Sequence, residues 1–173
     1  MDNSMQQAIE ILARTPEVIS QLLRNLSDDW VRLNEGGDTW SPYDVVGHLL
    51  HGEQTDWLAR IEIILSKQEE RKFKPFDRFA QFENSKGKSI NELLSAFAIA
   101  RANNLQKIAA MNISQEDMSK TGIHPAFGTV TLSQLIATWV VHDLNHLAQI
   151  SRILASRHKE AVGPWVAYLR ILK

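Results

Sequence analysis

The sequence contains no cysteine. Disulfides, thiolate metal sites and a cysteine nucleophile are therefore excluded, so any metal must be held by His, Asp or Glu. A thiol taking part in the chemistry would have to come from outside the chain. Charge of one sign is equally scarce: 19 Lys and Arg and 20 Asp and Glu are scattered along the chain and sum to −1. Neutralising nucleic-acid phosphates takes a basic stripe, so nucleic acid is not an expected partner. No acidic interaction tail is present. No apolar run approaches the ~18–20 residues that cross a bilayer, and "MDNSMQQAIEIL" lacks the basic start and apolar run of a signal peptide. The expectation is a cytoplasmic protein with neither a membrane nor a nucleic-acid partner.

Strand-like alternation is weak, and the apolar pattern is helical almost throughout. With 173 residues, 44% of them hydrophobic, the chain can build a substantial core and reads as one domain over 1–173. A first helical region covers roughly 4–31, with Pro16 either restarting the helix or kinking it. "NEGGD" (34–38) is a loop. "WSPYD" then signals a helix start: Ser41 can cap, Pro42 suits the first helical position, and Asp44 completes a capping box. This second helix is expected to reach about Lys67. A polar connection with aromatics follows over 66–89, long enough to cross the end of a bundle. Ser89 and Glu92 form another box and open a helix to about Met111. "TGIHPAFGTVT" (121–131) reads as a loop. Thr131 and Gln134 cap the last long helix, which extends to about Arg157. The tail "VGPWVAYLRILK" carries Trp165, Tyr168, Leu169 and Leu172 at helix-like spacing and is expected to pack back as a short segment. Four long helices with two longish connections predict an all-α four-helix bundle.

The last of these helices carries "HDLNH". At 100° per residue, Leu132, Leu135, Ile136, Trp139, Leu147, Ile150, Ile153 and Leu154 form one apolar stripe. His146 lies within that stripe and His142 at its edge. Positions i and i+4 lie one turn apart on one face, a spacing that lets two imidazoles share an ion. Asp143 falls near the middle of the stripe, and a buried carboxylate needs a cation, an imidazole N–H or a metal-bound water. Either histidine alone reads as a satisfied core residue. Two of them with an inward acid point to a metal.

An open metal site needs a third ligand, and the candidates are His48, His51, His124 and His158. His48 flanks the stripe of Val45, Val46, Leu49, Leu50 and Trp57. His51 is rotated outward and reads as a solvated surface residue. His124 lies on a loop and could line a pocket mouth, while His158 suits a helix C-terminus. Glu53, Asp56 and Arg60 also fall on the apolar stripe of the second long helix. Arg60 is expected to pair with Asp143 or Glu53, and an inward carboxylate could also support an imidazole by accepting its free N–H. "HDLNH" differs from the zinc-peptidase motif HExxH in having the shorter Asp143 at the general-base position, so a peptidase is a poor reading.

The segments "DTWSPYDVVGHLLHGEQTDWLAR" (38–60) and "FGTVTLSQLIATWVVHDLNHLAQISRIL" (127–154), supported by "GIHPAFG" and "VGPWVAYLRIL", resemble the DinB-like (DinB/YfiT) metalloprotein superfamily, particularly its DinB_2-type branch. The resemblance implies an up-down-down-up four-helix bundle, often a homodimer. It also implies that His48, His142 and His146 are the metal triad, with nickel, zinc or iron as the ion. Better-understood relatives are thiol transferases and a thiol-dependent isomerase that use low-molecular-weight thiols such as bacillithiol.

The function expected on this basis is that of a metalloenzyme acting on a small-molecule substrate. The first reading is thiol S-transfer, with a coordinated thiolate as nucleophile. Alternatives are hydrolysis by activated water on the same three histidines, or a bundle that binds metal without turnover. Asp143 or Glu53 could orient a ligand or accept a proton. No thiol-binding motif is visible in the residues.

Overall fold

The computed structural model describes residues 3–173. Four long helical elements form the bundle: α1 (Asn3–Leu23), the broken pair α3 (Pro42–Thr55) and α4 (Trp57–Leu65), α6 (Ile90–Ala110) and α7 (Leu132–Ser156). Short helices α2 (Asp28–Val31) and α5 (Ala80–Asn84) lie in the two connections. Helices α1 and α3 each pack against both α6 and α7. Of the three pairs of long elements consecutive in sequence, α1 with α3 and α6 with α7 therefore sit across a diagonal, and only α3 with α6 side by side.

All three predicted capping boxes form. The Ser41, Ser89 and Thr131 side chains accept from the backbone N–H of Asp44, Glu92 and Gln134, and each partner side chain returns the bond. These boxes satisfy N–H groups that helix starts leave unpaired, which fixes where α3, α6 and α7 begin. Pro16 is accommodated inside a continuous α1.

Four regions depart from the expected helical outline. The second helix breaks at Asp56 (φ −118°, ψ −72°) instead of running unbroken to Lys67. Its ladder nevertheless continues across the break, with the Asp56 N–H donating to Gly52 O and Arg60 N–H to Asp56 O. The Trp57 indole packs on Gly52, where an added Cβ would lie 3.2 Å from Nε1. The segment 121–131 is a hairpin rather than a loop: β1 (Thr121–His124) pairs antiparallel with β2 (Gly128–Thr131). Residues 71–73 join it through Phe73 N–H to Ile123 O and Ile123 N–H to Arg71 O. In the tail, the turn Arg170–Leu172 lies against α7. Trp165 and Tyr168, however, are 69% and 85% exposed and do not pack as expected.

The core is two apolar clusters. One gathers Met5, Leu12, Trp57, Ile61, Ile108 and Trp139. The other gathers Ile19, Leu49, Phe97, Leu94 and Ile150. On α3, α6 and α7 the residues between these two sets include Glu53, Arg101 with Asn104, and Asp143. A charged layer thus separates two apolar ones.

Candidate metal centre

Helices α3 and α7 bring His48, His142 and His146 together. One ring nitrogen from each lies within 4.8 Å of the other two. His142 Nε2 is 3.0 Å from His48 Nε2 and 3.2 Å from His146 Nε2. The i, i+4 spacing supplies the α7 pair; His48 comes from 94 residues away in the chain. Aromatic rings wall the cluster. Trp40 lies 4.8 Å from the His48 ring and stacks on His146 at 12°. Trp57 meets His142 edge-on at 5.1 Å, and Phe76 meets His48 at 5.5 Å.

Electrostatics hold these rings neutral. Burial, then the positive potential of His146, His51 and Arg78, pushes the His48 pKa down to about 3. Burial and the neighbours His146, His48 and Arg101 push His142 down to about 3. Burial lowers His146 as well, against the opposing pull of Gln149 and Asp143. Neutral imidazoles keep a lone pair free for a cation. His146 Nδ1 lies 2.8 Å from Gln149 Oε1. That bond places the proton on Nδ1 and leaves Nε2 bare toward the cluster. The Nδ1 atoms of His48 and His142 are buried without a hydrogen-bond partner among the described residues. The donor set fits a divalent ion: three neutral nitrogens face one point, and no carboxylate among the described residues joins them.

A cavity of about 550 Å³ opens over the cluster, with Trp40, Trp57, Asp56, Arg60, Arg78 and His124 also in its wall. His124 does line it, as one candidate position for that histidine anticipated. His51 does not read as expected: it is buried at 7% exposure, with its Nδ1 3.4 Å from Asn84 Nδ2. The cause is the connection, whose helix α5 packs over that face of α3. His158 is exposed and lies 5.6 Å from the Trp30 ring.

Glu53 and Asp143 are both buried, and neither lines the cavity. Arg101, 1% exposed, occupies the space between them. Its Nη1 and Nη2 donate to Asp143 Oδ2 and Oδ1 at 2.7 and 3.1 Å, and Nη2 also donates to Glu53 Oε1 at 2.8 Å. Nη1 reaches Leu12 O at 2.7 Å, which ties in α1. Asn104 Nδ2 and Trp139 Nε1 donate to the Glu53 carboxylate at 2.9 and 3.2 Å. Burial pushes the Glu53 carboxyl up. Arg60 is therefore not the partner of Asp143 or Glu53. It lies 2.7 Å from Asp56, one turn earlier on the same helix, and burial raises Asp56 to about 6 against the pull of that cation. The sequence reading missed Arg101, whose one signal is its place on the inward face of α6, one turn after Phe97.

Comparison with known proteins gives the family and the fold. Residues 11–150 match the family model described as the DinB superfamily. The chain belongs to the DinB superfamily. Among solved structures, this DinB-superfamily chain matches YfiT from Bacillus subtilis, described as a "probable metal-dependent hydrolase with an unusual four-helix bundle topology". The TM-score is 0.75 at 17% identity, covering 92% of this chain and 90% of that one. At that identity the likeness establishes the shared bundle. Among curated proteins none matches the chain.

Proposed function

We propose that the protein is a metal-dependent enzyme in which His48, His142 and His146 hold one divalent ion through Nε2, and that its reaction is hydrolysis of a small-molecule substrate. The observation that carries this reading is the convergence of three neutral imidazoles from two helices, His48 and His146 buried and His142 half-buried, at the floor of an open cavity. A divalent ion held by three neutral ligands supplies Lewis acidity and makes water or a thiol nucleophilic near neutral pH. An all-imidazole set suits zinc, nickel and iron alike.

The chain's own residues supply the rest. Gln149 fixes the tautomer of His146. Trp40, Trp57 and Phe76 exclude water from the sides of the cluster, which strengthens electrostatic interactions inside. Arg101, by joining Asp143 of α7 to Glu53 of α3, holds the helices that carry the histidines in register. Glu53 and Asp143 serve as positioning residues in this scheme. The description of YfiT as a "probable metal-dependent hydrolase" supports hydrolysis. Thiol S-transfer is the second reading, favoured by a cavity of about 550 Å³, which has room for a thiol beside a substrate.

The test is metal content and turnover of the purified protein beside His142→Ala. The expected result is about one ion per chain in the wild type and near none in the variant, with ester or amide hydrolysis lost in parallel. Full metal retention by His142→Ala would refute the site. Turnover that requires added bacillithiol would replace hydrolysis with the thiol reading.

A further inference from the structure

The cavity wall holds three arginines, Arg60, Arg78 and Arg152, against three carboxylates, Glu35, Asp38 and Asp56. Two of the arginines are committed. Arg152 donates from Nε and Nη2 to both oxygens of Glu35 at 2.8 Å, and Arg60 pairs with Asp56. Arg78 makes no ion pair or hydrogen bond among the described residues. Its guanidinium instead lies 5.5 Å over the Trp40 ring and 5.1 Å over Phe79. Trp40 is itself the ring that stacks on His146 and meets His48 at a tilt of 52°. The aromatic faces hold the cation over the cluster while leaving its N–H fork free.

A second uncommitted donor shares this wall. The Ala126 and Phe127 N–H groups donate to His124 Nδ1 at 3.1 and 3.3 Å. The neutral ring therefore carries its proton on Nε2, and Nε2–H has no protein acceptor among the described residues. Asp38, the one rim acid without an ion pair among the described residues, is exposed in the loop before α3. With paired charges cancelling and neutral histidines below, a bound divalent ion leaves the cavity positive.

We infer that the cavity takes a small molecule with an apolar or aromatic body and an anionic head group, the head held by the free guanidinium of Arg78, with the Nε2–H of His124 as a separate donor in the same wall. The inference rests on the three-histidine reading for the location of the reaction. Trp40, Trp57 and Phe76 supply faces for the body, and a planar fork suits a carboxylate or a phosphate.

Trp40 and Trp57 line the cavity, so quenching of tryptophan fluorescence reports binding. The experiment titrates benzoate and its neutral counterpart benzamide into the metal-loaded wild type, Arg78→Gln and His124→Phe, with metal quantified in each sample. The expected result is that wild type prefers benzoate and that Arg78→Gln weakens benzoate about tenfold. Benzamide should stay within about twofold, and metal content should be unchanged. His124→Phe should weaken benzoate by a smaller factor. Equal benzoate affinity in wild type and Arg78→Gln at full metal content would overturn the inference, as would a wild type that binds the two probes alike. Loss of metal from the wild type would instead count against the three-histidine reading, because the benzoate preference is read separately.

Discussion

Glu53 and Asp143 sit on the same two helices as His48, His142 and His146, yet the two clusters are built in opposite ways. The carboxylates are closed around Arg101, with each oxygen accepting a hydrogen bond from a buried donor. The imidazoles have no counter-charge among them, open to a cavity, and leave two Nδ1 atoms without partners. Asp143 and His142 are adjacent in sequence, so one turn of α7 faces both environments. The difference separates structure from chemistry. An ionic layer in which every carboxylate oxygen is bonded specifies register, because any slip would leave a charge buried alone; within it only the Arg101 Nε lacks a partner among the described residues. A set of unpaired neutral donors is tolerable only where something else supplies the charge.

The largest expected effect comes from breaking the closed cluster. Arg101→Met leaves two buried carboxylates without their cation and should cost about 3–5 kcal/mol in unfolding free energy, read by urea denaturation. Replacing Arg101, Glu53 and Asp143 together with Met and Leu should restore most of that stability. If the layer sets the register of the histidines, the same triple variant will bind metal more weakly despite its stability. The open cluster should behave in reverse. His142→Ala should lose its metal while its chelator-treated form unfolds within about 1 kcal/mol of chelated wild type, since no net hydrogen bond to protein is lost beyond the contacts among the rings. Chelation should lower the melting temperature of wild type and leave that of His142→Ala unmoved.

What the sequence disclosed follows the same division. The caps were legible because each is a local pattern of three or four residues: Ser41 with Asp44, Ser89 with Glu92, Thr131 with Gln134. The α7 histidines were legible for the same reason, through helical periodicity. His48 entered through family resemblance, since nothing local ties it to residues 94 positions away. Arg101 was hidden because its partners lie 42 and 48 residues off. The hairpin was hidden because its strands are four residues each, too short to show alternation. His51 was misplaced because periodicity of α3 alone cannot show that α5 covers its outer face. Gly47 records that cover: an added Cβ would lie 2.5 Å from Ser85 Oγ and 2.8 Å from Gln81 Oε1.

Acid sharpens the comparison further. His48 and His142 are held at about 3 in the folded protein against an ordinary 6.5. Below pH 6.5 the unfolded chain takes up protons that the folded one refuses. Metal-free protein should therefore lose stability as pH falls from 6.5 toward 3, by about 1.4 kcal/mol per pH unit for each fully unmatched proton. Asp56 works against this. Its folded value of about 6 lies above the ordinary 3.8, so between those values the folded state binds the extra proton and gains stability as pH falls. The smallest expected effect is accordingly a slope: Asp56→Asn should make the acid loss of the chelated protein steeper between pH 6 and 4. Denaturant midpoints measured across that range read it directly.

The central claim is that three rings, one of them remote in sequence, share a single ion. X-ray absorption at the edge of the bound metal, compared between wild type and His48→Ala, tests it most directly. The account predicts three imidazoles around the ion in the wild type, and in the variant either no ion or one with two imidazoles. An unchanged metal content with the same imidazole shell in His48→Ala would contradict it.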